Sequence, residues 1–323
     1  MQNLSDHPYV MLQPLTIRPA RESDREAILE IAARTWEGND YLPNLLDHWL
    51  VDPNGWLLVA ADERDQALGL GRLTRLAPSE WWLEGMRVHP DHYGRGIGKL
   101  VHTHLVQLVD RLHLEYGESG GQVRLCTDVE NTPVHRMCAA LGFREVTPFW
   151  RYSAEVKPNV YGADRFAKLT AQHIPQVRAF LDRSRHYVLV GESSIESRWL
   201  CRRLTNERLA QWVEQEMLYG WYGVRGNGSW LDGVIIGGYG SPYMNRPPSF
   251  NIYYADATYG SAAVMLSALR GLPAHLGLTE PITLRYMLPA REELLVAVEQ
   301  AGWRRPKDDS GKAILFARAL GTH

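Results

Sequence analysis

The sequence predicts an α/β chain of two domains, and three observations predict it. Its 323 residues are about twice the usual domain length. Strand-like segments alternate with helical ones, and the order of those segments recurs after a linker. In the first half a short strand, Leu15–Arg18, precedes a helix that holds Ile28, Ile31 and Ala32 at helical spacing. Ser23 stands three residues before Glu26, the pattern of a capping box. A loop from Trp36 to Pro43 leads to a second amphipathic stretch with Leu45, Leu46 and Trp49. Strands follow at 56–61, 67–76 and 81–88, the first two joined by a turn at 62–65. A long helix carries Leu100, Val101, Leu105, Leu108 and Leu112. A strand at 123–127, a helix at 133–141 and a strand near 145–152 close this half.

The stretch 153–164 has Pro158, Asn159 and Gly162 and no apolar period, and reads as a linker between domains at 14–152 and 165–320. Beyond it, Phe166–Leu169 is strand-like, and Val177, Phe180 and Leu181 repeat the spacing of Ile28, Ile31 and Ala32. A hairpin is expected over 219–224 and 232–239, then a strand at 250–254 and a helix at 263–269. A strand at 282–287, a helix at 294–301 and a strand at 312–319 mirror the end of the first half.

Composition narrows the function. With 35 Lys+Arg against 37 Asp+Glu the net charge is −2, so no basic field exists to hold nucleic acid. No run approaches the roughly 20 apolar residues of a membrane span, and the first residues carry no basic, apolar leader. Cys126, Cys138 and Cys201 are far apart in the chain, which argues against a disulfide scaffold or a cysteine-rich zinc site. A cytoplasmic chain without a metal centre is expected.

The segment Val88-His89-Pro90-Asp91-His92-Tyr93-Gly94-Arg95-Gly96-Ile97-Gly98-Lys99-Leu100 carries the chemistry. Three glycines at alternate positions between a strand and a helix let the backbone turn tightly and present successive N–H groups. At a helix N-terminus those donors suit a phosphate. The spacing is that of neither a Walker loop nor a dinucleotide-binding fingerprint. Together with Asn131-Thr132-Pro133 and Leu141-Gly142-Phe143, the segment resembles the GNAT superfamily of N-acetyltransferases. Val88, Pro90, Gly96 and Gly98 match that family's pyrophosphate loop, and the later stretch matches its Asn-x-x-Ala…Gly-Phe helix. The resemblance spans roughly Leu15–Tyr152. It implies a mixed, mostly antiparallel sheet flanked by helices in each domain and acetyl-CoA as co-substrate, with no metal. Cofactor-binding residues would be Arg87 and Val88 on the strand, Tyr93, Gly94, Arg95, Gly96, Ile97, Gly98 and Lys99 in the loop, and Asn131.

Two departures from the family pattern stand out. Tyr93 occupies the usual Gln/Arg position, and Cys138 the position where many members carry a general-acid tyrosine. A thiol, with a reference pKa near 8.5 against about 10 for a phenol, can in principle protonate a leaving thiolate. The alternative is a small buried core cysteine. Transfer to an amine also needs a group that takes the ammonium proton. Strict alternation puts Trp82, Glu84, Met86 and Val88 on one face of their strand, and Glu84 is the candidate base or amine-binding group. Asp128 is a second choice. His89 and His92 read as turn residues facing solvent.

Trp36, Asp40 and Tyr41 are the candidate acceptor-binding residues, aromatic walls with a carboxylate for a cationic amine. The stretches Tyr41–Leu50 and Leu83–Val88 are similar to vertebrate histidine N-acetyltransferase-like proteins, which implies a free amino acid or similar small amine as acceptor. In the second half, aligning Tyr259-Gly260 with Tyr93-Gly94 turns Gly96 into Ala262, Gly98 into Val264, Glu84 into Phe250 and Cys138 into Val298. That half resembles a degenerate GNAT domain without a cofactor site. Tyr239, Tyr243, Tyr253 and Tyr254 are its aromatic candidates for contact. The chain is similar in length and layout to the tandem mycothiol synthases, with the intact loop in the opposite half. A monomer built as a pseudo-dimer, or a homodimer, is expected. Acetylation of a small-molecule amine, acetylation of a protein or peptide, and acetyl-CoA sensing without catalysis all remain open at this point.

Overall fold

The computed structural model describes residues 14–38, 40–196, 199–225, 228–240, 248–258, 260–278, 282–307 and 311–321. The chain divides into two units, described in turn. The first takes in the chain up to Arg124 with His135–Phe143 and the residues from Arg318 on. The second takes in Leu125–Val134 and Arg144–Ala317.

The first unit begins with β1 (Thr16–Pro19), a tight turn at Glu22–Asp24 and α1 (Arg25–Ala33). The expected capping box shifts by two residues: Asp24, not Glu26, accepts from a backbone N–H upstream, that of Arg21, at 2.7 Å. The same carboxylate holds the buried Arg18 guanidinium at 2.7 and 2.8 Å, so it fixes β1 and α1 together. Turns at Trp36–Gly38 and Leu42–Asn44 lead to α2 (Leu46–Val51). The chain then forms β2 (Gly55–Ala61), β3 (Ala67–Ala77) and β4 (Glu80–Val88). β1 to β4 form an antiparallel meander. After α3 (Ile97–Glu115), β5 (Gln122–Asp128) joins β4 in parallel through Gln122, Val123 and Arg124.

Helices cover both faces of this sheet. Ile28, Ile31 and Ala32 of α1 and Leu46 and Trp49 of α2 bury against Leu57, Val59 and Leu70. α3 lies on the opposite face, and glycine allows its approach: a Cβ at Gly71 would fall 2.9 Å from both Leu105 and Val101. The tail of the chain belongs here too. Arg318 grips Asp110 of α3 through two bonds of 2.7 and 2.9 Å, and Leu320 N–H donates to the Gly121 carbonyl at 3.1 Å.

α4 (Thr132–Ala140) precedes β6 (Arg144–Glu155), which the sequence order places at the close of the first half. It pairs instead inside the second unit, antiparallel to both β13 (Thr283–Pro289) and β14 (Lys312–Ala319), and runs to Glu155, into the expected linker. Between these lie β7 (Phe166–Lys168), α5 (Ile174–Leu181), α6 (Arg185–Leu189) and the hairpin β8 (Ser193–Ile195) with β9 (Cys201–Arg203). Then follow α7 (Asn206–Glu214), β10 (Leu218–Arg225), β11 (Gly228–Gly240) and β12 (Ser249–Ala257). After α8 (Ala262–Ala268) and the one-turn α9 (Leu272–His275), β13 leads to α10 (Glu292–Gln300). β7, β10, β11 and β12 are antiparallel neighbours, and β12 pairs with β13 in parallel.

The second core gathers Phe250, Ile252 and Leu284 from strands with Met265, Leu266 and Leu272 from α8 and α9, and Val298 and Trp303 at α10. Trp303 satisfies its indole N–H on the Leu266 carbonyl at 2.9 Å, which allows a polar atom in that core. Each unit is therefore a mixed, mostly antiparallel sheet flanked by helices, as expected. Among the described residues no helix is long and apolar enough to cross a membrane. No group of three or more His, Cys, Asp or Glu among them could hold a metal.

Candidate active site

β4 does not keep strict alternation. Leu70 of β3 pairs with Arg87 and Arg72 with Glu84, so Gly85 and Met86 together oppose Gly71. This is a bulge, and Gly85 takes φ +73°, where a Cβ would fall 2.7 Å from the Trp49 ring. The bulge corrects the expected facing: Glu84 shares the α1–α2 face with Arg87, while Val88 turns toward α3. Sequence period alone cannot register an extra residue in one strand.

On that face lies a dense set of charges and rings. Arg87 is buried, and its Nε and Nη2 donate to Asp40 Oδ2 and Oδ1 at 2.7 and 2.9 Å. Its guanidinium lies 4.6 Å from the Trp36 ring centre and 4.7 Å from that of Tyr41. Burial works against the Arg87 charge, but the bonds to Asp40 outweigh it and raise its pKa above the ordinary value. Burial likewise pushes up the Tyr41 phenol. Asp40 also accepts from Leu42 N–H at 2.9 Å. Its carboxylate is thus buried and committed inside the protein. Trp36 remains 58% exposed, stacked on Tyr41.

Glu84 is half-buried. Thr74 Oγ1 donates to its Oε1 at 3.2 Å, and Arg72 Nη1 stands 3.7 Å from that oxygen. Arg72 is itself buried, pairs with Asp52 and lies 4.9 Å from the Trp49 ring centre. Sequence reasoning passed over Arg72 and Asp52. The available signal was an arginine inside the otherwise apolar run Ala67–Leu73, where a charge must be paired.

The glycine loop follows β4 directly. Pro90–His92 form a tight turn, within which His89 Nδ1 accepts from Asp91 N–H at 3.3 Å. Arg34 of the turn after α1 holds Asp91 at 2.6 and 2.8 Å and reaches His89 at 3.1 Å. That pairing holds the Asp91 carboxyl below its usual range. Burial, with Arg95 and His89 nearby, lowers His92. The histidines are thus parts of a built turn, the His89 side chain only 12% exposed.

Gly94 and Gly96 take φ +76° and +75°, and a Cβ on either would meet nothing within 4 Å. Backbone there is open to an approaching group. The first α-helical bond runs from Leu100 N–H to Gly96 O, which leaves the amides of Ile97, Gly98 and Lys99 without helical acceptors. The amide of Tyr93 is taken by the Pro90 carbonyl at 3.1 Å, while its ring is exposed. Arg95 and Lys99 are exposed beside the same helix start. The arrangement can hold an anion.

Cys138 on α4 is fully buried, and burial pushes its thiol up to about 12. The Asn131 side chain donates to Thr127 Oγ1 at 2.9 Å, and Asp128 Oδ1 accepts from Glu130 N–H at 2.8 Å. In the second unit Tyr254 is buried, Tyr253 packs on Trp212 and Tyr239 is exposed. Tyr243 and Tyr259 lie outside the described residues.

The human protein named Probable N-acetyltransferase 16 is 33% identical over 107 residues, which are 33% of this chain and 29% of that protein. A GCN5-related N-acetyltransferase from Sphaerobacter thermophilus shares the fold over 95% of this chain and 96% of its own, at 15% identity and TM-score 0.60. A GCN5-related glucosamine N-acetyltransferase region of a fungal multi-domain β-N-acetylglucosaminidase shares it over 94% of this chain and 38% of that one, at 13% identity and TM-score 0.61. The Acetyltransferase (GNAT) family matches residues 25–143, from the start of α1 through the Gly142-Phe143 turn. The chain therefore carries, over those residues, a domain of the GNAT acetyltransferase family.

Proposed function

We propose that this chain is an acetyl-CoA-dependent N-acetyltransferase that acetylates the amine of a small molecule by direct attack on the thioester. Free amino acids are the first acceptor class to test. The observation that carries the reading is the bulged β4 running into Gly94, Gly96 and the long helix α3. In this reading the amides of Ile97, Gly98 and Lys99 hold the pyrophosphate of CoA, with Arg95 and Lys99 adding charge, and β4 backbone near Arg87 and Val88 meets the pantetheine arm.

Glu84, fixed by Thr74 and Arg72, binds the acceptor ammonium and takes its proton directly or through a water. The amine nitrogen then bonds to the acetyl carbon, the C–S bond breaks, and the second nitrogen proton leaves and passes through water to the CoA thiolate. Cys138 is left out of that step, since a buried thiol pushed up to about 12 is a poor donor to an ordinary thiolate. Trp36 and Tyr41 wall the acceptor side. Asp40 acts through Arg87, which it holds in place.

The halves 14–152 and 165–320 are tandem copies of one fold, the second without a cofactor site, in a cytoplasmic protein. Residues 144–155 count with the second unit and those from Arg318 on with the first. A second reading, acetyl-CoA binding without catalysis, is favoured by one observation: Glu84 already has Thr74 and Arg72 as partners.

Thiol release from acetyl-CoA, measured over amino acids, polyamines, aminoglycosides and short peptides, separates the readings. Turnover is expected on a small amine, and Glu84→Gln is expected to lower kcat by about 10²–10⁴-fold with acetyl-CoA binding kept. Binding with no turnover on any amine favours the sensor. Turnover on peptides alone moves the acceptor to proteins.

A further inference from the structure

We infer that Cys126 and Cys201 form an oxidation site in the second unit, at which a peroxide converts the two thiols into an intramolecular disulfide. They lie 75 residues apart in the chain, and sequence spacing predicted no pairing, yet their sulfurs stand 3.7 Å apart. Cys126 is on β5, and Cys201 opens β9, opposite Ile195 of β8. Both thiols thus hang from regular strand backbone rather than from a loop, which fixes where each Cα sits. A disulfide length of about 2.04 Å requires the sulfurs to close by about 1.7 Å from their 3.7 Å separation.

Exposure assigns the roles. Cys126 is half-buried and Cys201 fully buried, so Cys126 meets the oxidant and Cys201 resolves it. The Cys126 thiolate attacks one peroxide oxygen, forming an S–O bond as the O–O bond breaks. With hydrogen peroxide this gives a sulfenic acid and hydroxide, which takes up the proton given up by the Cys126 thiol and becomes one water. Cys201, giving up its proton, then attacks the Cys126 sulfur. The S–S bond forms, the S–O bond breaks, and the departing hydroxide takes that proton as a second water. Two thiols lose two electrons, and one peroxide is reduced. A small thiol such as glutathione reverses the change by exchange. Cys138, buried on α4, serves as the internal control.

The test uses the full chain, reduced, treated with hydrogen peroxide, then denatured and alkylated. Wild type is expected to fall from three alkylatable thiols to one, Cys138, and to weigh about 2 Da less before alkylation, with recovery by dithiothreitol. Peptide mapping is expected to find Cys126 joined to Cys201. Cys201→Ser is expected to leave Cys126 to accumulate oxygen instead of forming the link. Persistence of all three thiols, oxygen gain at Cys126 in wild type, or a link through Cys138 or between chains would overturn the inference. The wild-type mapping decides the question even where a serine variant fails to fold. Acetyl transfer is not measured at any point, so this result stands apart from the proposed activity.

Discussion

In the first unit β4 passes a bulge and opens through Gly94 and Gly96 onto a helix of 19 residues. In the second, β12 passes a bulge opposite Ile236 and Gly237 and reaches a helix of only 7 residues. The loop there is closed on a carboxylate: Thr258 Oγ1 donates to Asp232, Ser261 Oγ does so at 2.9 Å, and Arg165 stands 3.9 Å away. The helix start presents open amides in the first unit and a fixed carboxylate in the second. Cross-strand chemistry differs as well. Immediately before its bulge the first unit pairs Arg72 with Glu84, and the second pairs Gly237 with Ile252. The residue just before the second unit's bulge is thus Ile252, which carries no carboxylate. Both units keep the antiparallel strands that end in a parallel pair, because hydrogen bonding and apolar burial maintain them. The second unit forms that framework without an arginine–glutamate pair beside its bulge, so these features are free to differ.

The largest expected effect lies in this buried pair. Arg72→Met leaves Asp52 and Glu84 without their cation in a site that is mostly closed to water, and should cost about 3–5 kcal/mol in urea unfolding. Ile252→Val, just before the bulge of the second unit, removes one methylene and should cost only about 0.5–1.5 kcal/mol. Equal losses would mean that the two positions are both simple packing sites, and the comparison would fail there.

Next comes the loop. Gly96→Val puts a β-branched residue at φ +75°, in the left-handed region that such side chains resist, and places bulk over the open amides. Acetyl-CoA affinity measured by calorimetry should fall roughly 100-fold, the sum of about 1–2 kcal/mol of strain and a similar loss of phosphate contact. Asp232→Ala in the second unit should create no second binding event, since Gly260 is followed at alternate positions by Ala262 and Val264, not by further glycines. A stoichiometry of two for that variant would show that the carboxylate alone closes the site.

Much of the first unit's site was legible because its signals are local. Glycine at alternate positions after a strand has few structural explanations, and Gly94, Gly96 and α3 fall where the sequence puts them. What stayed hidden was long-range. Asp40 looks like a free loop carboxylate until Arg87, 47 residues on, is seen to take both its oxygens. The bulge at Gly85 reassigns faces that alternation had fixed, and β6 pairs with strands more than a hundred residues later. Cys126 and Cys201 carry no spacing signature at all.

The smallest effect bears on what the exposed aromatic does. Each unit lays an arginine against an aromatic ring, Arg87 at Trp36 and Tyr41 in the first and Arg178 at Tyr187 in the second. Tyr187 is buried at 7% exposure, so its contact is part of a core, whereas Trp36 keeps 58% of its surface in solvent. Arg87 is held by Asp40 whether or not the indole is present. Trp36→Ala should therefore change unfolding stability by about 0.5–1 kcal/mol, the worth of one exposed cation–π contact. If the indole walls the acceptor, the same variant should raise the acceptor KM severalfold while kcat and the KM for acetyl-CoA hold steady. A stability loss above about 2 kcal/mol with unchanged KM would instead make Trp36 a packing residue like Tyr187, and the two units would differ only at the loop and the ion pair.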